Sequence, residues 1–270
     1  MSQAVLFLIR RTPERLQDHI WRSSYPALAH RHPELYESAR LSFAPWITME
    51  LVPGDNLSDH IAFTGCHESK LTRRVMAVGR HGGTMIDIGA NLGYFSLLWA
   101  ASNPANRCIA FEASPGNVEL LRRNVIRNGL EDRITVVPYA AGREAGQLSF
   151  DLGPEDQRGW GGFALASNER TIDVKVVRVD ETVPANSRIA FLKVDTEGAD
   201  AWALMGCKRL LESRLIDEIW FEENKERCAA LGIPATAAVE FLSSLGYKCV
   251  AETNPNRGLV EWMAMRPNSG

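Results

Sequence analysis

The stretch from Thr84 to Ala101 constrains this chain more than any other. An apolar run, Thr84 to Ile88, ends in Gly89-Ala90-Asn91-Leu92-Gly93, and a second apolar run, Tyr94 to Ala101, begins at once. Five residues that include two glycines leave room only for a tight turn, so the first run reads as a buried strand and the second as a helix. A strand apolar on both faces belongs in a parallel sheet covered on both sides. The turn exposes backbone N–H groups at a helix start, and its glycines allow a close approach from outside.

The same rhythm continues downstream. Strands are predicted at 107–112, 133–138, 189–194 and 215–221, with helices at 115–127, 199–211 and near 234–245. Two antiparallel pieces, 146–151 and 171–179, interrupt the alternation, and strands 247–251 and 259–265 close it as a hairpin edge. Alternation of this kind predicts an α/β fold built on a Rossmann-like, mostly parallel sheet. Upstream, residues 1–45 read as short helical pieces broken by Pro13, Pro26 and Pro33. Residues 47–63 read as two short strands around Pro53-Gly54-Asp55-Asn56, and 68–80 as a helix. The expected division is an N-terminal helical and hairpin extension, 1–80, packed on a main domain, 81–270. Residues 151–170 carry four glycines and an exposed-looking Trp160 and Phe163, which suits a surface insertion or an active-site flap.

Composition excludes several classes. A net charge of -3 over 270 residues argues against a partner gripped through nucleic-acid phosphates, and no nucleic acid is expected. Cys66, Cys108, Cys207, Cys228 and Cys249 are scattered and never form a CxxC pair, which suits reduced thiols in a cytoplasmic protein. The apolar run Ala4 to Ile9 precedes Arg10 and Arg11, the reverse of a secretory signal. No transmembrane segment is expected, since no stretch reaches the ~20 apolar residues of a membrane span.

Ligands of open α/β sheets bind beyond the carboxyl ends of the strands. The first strand delivers Asp87 and Gly89 there; the second delivers Glu112, an acid able to accept both hydroxyls of a ribose. A dinucleotide turn wants G-x-G-x-x-G, but Asn91 stands where the middle glycine would be, and no GxxxxGK[ST] run exists. A nucleoside without a pyrophosphate fits better, and S-adenosylmethionine is such a ligand.

Three segments, "MIDIGANLGYFSLLWA", "CIAFEASPGNVELLRRNVIRNGL" and "IAFLKVDTEGADAWALMGCKRLL", resemble the FkbM-type family of S-adenosylmethionine-dependent methyltransferases, over about residues 62–265. The resemblance implies a class I methyltransferase sheet of seven strands with an antiparallel last strand. It implies S-adenosylmethionine as cofactor, S-adenosylhomocysteine as product, and O-methylation of a sugar or natural product, so a small-molecule or glycan acceptor. By the same resemblance Gly89, Asn91 and Gly93 form the cofactor turn, Asp87 ends the first strand, and Glu112 binds the ribose. Glu68 in "GCHES" lies on the cofactor side, with His67 where the family more often has an aromatic. Ala140 and Ala141 flank the adenine, and Asp195 and Glu197 form the DxEG beside the methyl donor. Glu222, Glu223 and Asn224 end the fifth strand.

Removal of the hydroxyl proton calls for a general base. Asp195, at a rigid strand end, ranks first among Asp195, Glu197, Glu222 and His67; Glu197 has an alternative role as a helix cap. A divalent metal is not expected, and a homo-oligomer stays open. The competing readings are an NAD-linked oxidoreductase and a non-catalytic nucleoside-binding module.

Overall fold

The computed structural model describes residues 10, 12, 32–166 and 168–266. Most of the helical pieces expected over 1–45 therefore lie outside the described residues. The continuous description opens with a one-turn helix α1 (Glu34–Glu37) and a hairpin of β1 (Ala39–Leu41) and β2 (Ala44–Met49). Helices α2 (Asn56–Thr64) and α3 (Ser69–Gly79) follow.

Helix α2 corrects the second strand expected within 47–63. The Asp55 carboxylate accepts the Ser58 N–H at 3.0 Å and so caps the helix N-terminus. Leu57 and Ile61 then fall on one helical face, which alternation had disguised. The hairpin turn lies upstream, at Ser42-Phe43.

The repeating units come next: β3 (Thr84–Ile88), α4 (Tyr94–Ser102), β4 (Arg107–Phe111), α5 (Pro115–Arg127) and β5 (Ile134–Val137). A smaller sheet of β6 (Ala140–Ala141), β7 (Gly146–Asp151), β8 (Gly162–Phe163) and β9 (Thr171–Val177) is inserted after them. The chain then forms α6 (Val179–Thr182), β10 (Ile189–Val194), α7 (Asp200–Gly206), α8 (Lys208–Glu212) and β11 (Glu218–Asn224). It ends with α9 (Lys225–Ala230), α10 (Ala237–Ser244), β12 (Lys248–Ala251) and β13 (Leu259–Met265).

The central sheet runs β12-β13-β11-β10-β3-β4-β5, with β13 antiparallel to both neighbours. This is the seven-stranded sheet with an antiparallel last strand. Its order reverses between β3 and β10, where ligands of open sheets bind. Both faces are covered, which is why β3 and β10 are apolar at nearly every position. Met85 and Phe191 join one core with Trp99 and Leu121, while Ile86, Ile88, Leu192 and Val194 join the other with Leu204 and Leu211. The first core also takes in Tyr36, Met49, Phe63 and Leu71, so it runs through residues on both sides of position 80. The Trp99 indole inside it donates to the Arg107 carbonyl at 3.0 Å, as a buried indole N–H requires.

Two boundaries differ from the pattern. The helix expected over 199–211 breaks at Cys207, and the strand expected at 215–221 is shifted to 218–224. The short α9 was not expected; the Asn224 side chain caps it by accepting the Arg227 N–H at 3.2 Å. Among the described residues no helix is long and apolar enough to cross a membrane.

Candidate functional site

The carboxyl ends of β3, β4, β10 and β11 open into one crevice of about 980 Å³, and the segment 157–163 forms part of its wall. Glu68, Gly89, Asn91, Glu112, Ala140, Ala141 and Asp195 all line it, as do His67, Glu197 and Glu222. Asp87 and Gly93 do not. The sheet thus gathers residues spread over more than half the chain.

Glu112 is buried just past β4. One carboxylate oxygen accepts the Asn91 N–H at 2.8 Å and the other the Ser114 N–H at 2.9 Å. Burial pushes its carboxyl above the ordinary range, while these N–H groups pull it back. Both donors are backbone groups and not cations, and each oxygen keeps a second lone pair. A ribose diol suits such a carboxylate. Asn91 holds a left-handed φ of 50°, and its amide oxygen is buried without a protein partner, which suits a hydrogen-bonding ligand at this turn. These two features fit the nucleoside donor expected from the sequence.

Both glycines of the turn are also packed closely against protein. A Cβ on Gly89 would lie 1.8 Å from the Asp195 carbonyl oxygen, and one on Gly93 would lie 2.4 Å from Leu121 Cδ1. Their missing side chains make room for protein, and Gly89 lines the crevice as well. Gly89 lets the turn after β3 press against the end of β10.

Asp87 is fully buried. It accepts Ser96 Oγ at 2.6 Å and lies 3.6 Å from Lys193 Nζ. Lys193 is a functional candidate that pattern reading missed. It is only 3% exposed and stands level with Asp87 in the β3–β10 register. Its ammonium donates to the Gly89 carbonyl at 3.1 Å and to Asp195 Oδ2 at 3.2 Å, over the Phe95 ring. Burial disfavours the ammonium, but Asp195, Asp87 and Glu68 outweigh it and hold the lysine above its ordinary pKa. The available signal was a lysine in an otherwise apolar strand, "IAFLKV".

Asp200 was missed as well. Buried behind the crevice, it accepts Thr196 N and Oγ1 at 3.1 and 2.8 Å and the Glu222 N–H at 3.0 Å. It ties the loop after β10 to β11. Burial and then Asp195 push it up to about 6. Glu197 has a left-handed φ of 52° and does not cap α7, which has no side-chain cap. Burial and Asp195 push its carboxyl up to about 8. Burial, then Asp195, Asp200 and Glu197, raise Glu222 well above the carboxylate range. His67 pairs with Glu68 at 3.3 Å, with the Tyr94 and Phe95 rings about it. Glu223 is buried and lies 3.7 Å from Lys225.

The segment 151–170 reaches the crevice. The Arg158 N–H bonds Asp55 Oδ1 at 3.0 Å, so one carboxylate caps α2 and holds this segment. Trp160 is exposed at the crevice wall. Phe163, expected exposed, is buried in β8, 5.9 Å from the Trp202 ring, because β8 pairs with β7 and turns that side chain into the small core.

Comparison with known proteins places the chain in a family. The methyltransferase FkbM domain matches residues 87–249. "Methyltransferase 1" of Beauveria bassiana (strain ARSEF 2860) is 26% identical over 195 residues, covering 62% of this chain and 73% of that protein. Among solved structures, methyltransferase FkbM from Methylobacillus flagellatus KT aligns with 91% of this chain at 15% identity and a TM-score of 0.48. This chain spans 61% of that one's length. The SAH-bound methyltransferase PaMTH1 of Podospora anserina aligns with 94% of this chain and 95% of its own, at 13% identity and a TM-score of 0.47. With the domain matched over most of its length, from the end of β3 into β12, this chain belongs to the methyltransferase FkbM domain family and is an S-adenosylmethionine-dependent methyltransferase.

Proposed function

We propose that this enzyme methylates a hydroxyl oxygen of a sugar or natural-product acceptor, with Asp195 as the proton acceptor. The bound donor supplies an electrophilic methyl group on a positively charged sulfur. The chain's own residues align the partners and manage the proton. Glu112 takes the ribose hydroxyls, Asn91 offers its free amide oxygen, and Ala140 and Ala141 flank the base. Asp87 acts from behind, through Ser96 and Lys193.

One observation carries the choice of base. Asp195 is ion-paired to Lys193 yet 36% exposed, at the crevice. Glu197 and Glu222 have raised pKa values and keep protons near neutral pH, so they are weaker acceptors there. The His67 ring is engaged with Glu68. Exposed Trp160 offers a flat apolar face for an acceptor ring. The partner is then a small molecule or glycan, not a nucleic acid.

The test is incubation with methyl-labelled S-adenosylmethionine and a panel of glycans and hydroxylated metabolites. Label is expected on an acceptor oxygen. Asp195→Asn is expected to lower turnover by roughly 10²–10⁴-fold, the contribution of a positioned base. S-adenosylhomocysteine affinity should meanwhile change less than about threefold. Label on nitrogen or carbon, or equal losses of turnover and affinity, would overturn the reading.

A further inference from the structure

Four neighbouring strands present acids on one face at the carboxyl edge. Asp87 lies one residue before the end of β3, Asp195 follows β10, Glu222 lies in β11, and Glu261 of β13 is its register partner. Glu68, paired with His67, faces the same cluster from before α3, Glu112 from the end of β4, and Glu197 and Asp200 from the segment after β10. Arg227 of α9 donates its Nε–H to the Glu197 carbonyl at 3.2 Å and approaches from the far side. Lys193 is the ammonium inside the row. It touches the two elements whose relation decides alignment: the Gly89 carbonyl of the donor turn and the Asp195 carboxylate.

We infer that Lys193 is a positioning residue for methyl transfer, locking the donor turn and the Asp195 carboxylate into one fixed relation through a buried ammonium. The geometry requires it at three points. The Gly89 carbonyl ends a strand and needs a donor, which Lys193 provides. The Asp195 backbone is already pressed against Gly89, so the side-chain link completes a contact that the main chain begins. Asp87, level with Lys193 in the neighbouring strand, leaves one oxygen without a hydrogen bond and holds the ammonium by charge. Without the ammonium, the Gly89 carbonyl and the Asp195 carboxylate lose their shared donor. The role rests on Asp195 being the proton acceptor; the Lys193–Asp195 coupling itself can be measured without an acceptor.

The test is calorimetric titration with S-adenosylhomocysteine on four proteins: native, Asp195→Asn, Lys193→Gln and the double variant. The factor by which Lys193→Gln changes affinity should differ at least threefold between the native and the Asp195→Asn backgrounds, and Lys193→Arg should restore the native affinity. A purely structural lysine would lower affinity by the same factor in both backgrounds, and that result would overturn the inference.

Should Lys193→Gln fail to fold, the coupling is read from the other partner. The ¹⁵N-lysine resonance of the Lys193 ammonium, protected from exchange in the native protein, should shift and lose protection in Asp195→Asn. An unchanged resonance would overturn the inference. Failure of the Asp195 assignment shows separately, as undiminished turnover in Asp195→Asn.

Discussion

Replacing Gly89 with alanine tests whether this glycine serves protein packing or ligand approach. Its φ of 74° imposes the left-handed cost of a side chain, about 1–2 kcal/mol. The new Cβ would also lie 1.8 Å from the Asp195 carbonyl oxygen, where contacts under 3.0 Å are essentially never found. The two strand ends must part by about 1.2 Å, and overpacking of this kind costs roughly 1–3 kcal/mol more. The obstacle is backbone, held by the Asp195 N–H on the Ile88 carbonyl at 3.1 Å and the Gly89 N–H on the Phe111 carbonyl at 3.0 Å, so it cannot swing aside. The sum, about 2–5 kcal/mol, corresponds to a melting temperature lower by roughly 4–20 °C at this size.

Two controls separate the causes. Gly129 has a φ of 62° with nothing within 4 Å of a Cβ, so Gly129→Ala carries the backbone cost alone. Gly93→Ala meets the tip of Leu121, which can rotate, and should fall between the two. Thermal unfolding of the three variants should rank Gly89 worst and Gly129 mildest. A displacement near 1 Å also moves Asp195, and misplacement of that size costs on the order of 10²-fold in turnover. Equal melting losses for Gly89→Ala and Gly129→Ala would refute the packing argument.

Further expectations follow from the same contacts. Glu112→Gln turns one acceptor into an amide donor facing a backbone N–H; a ribose hydroxyl would also lose a charged acceptor, a bond worth roughly 1.5–3 kcal/mol, so S-adenosylhomocysteine binding should weaken about 10–100-fold by calorimetry. Glu222 binds its proton more tightly folded than unfolded, so its stabilising contribution is full below the ordinary glutamate pKa and is lost as pH rises through the raised value. Melting temperature should therefore fall less steeply between pH 5 and 10 in Glu222→Gln than in the native enzyme; an identical slope would discount the burial. Asp55→Ala removes the α2 cap and the Arg158 anchor together. It should destabilise by about 1–2 kcal/mol in denaturant titration and speed proteolysis within 155–163.

Local pattern carried the scaffold. Short apolar runs placed β3, between glycines, and β10, before the acids that follow it, and the strand–helix alternation led to the sheet, because burial on both faces leaves a short continuous apolar run. Residues at strand ends, Glu112 and Asp195 among them, were legible because parallel strands deliver their carboxyl ends to one edge. Helix α2 was misread because a cap at Asp55 outweighed a run that also alternates. Lys193 and Asp200 escaped because a buried charge is meaningful only through its partners, and those come from other strands. What tertiary structure alone decided is the use of each glycine and each charge. Distances between strands set whether a missing Cβ admits a ligand or a carbonyl, and whether a lysine is exposed or held between two aspartates; one-dimensional spacing contains neither.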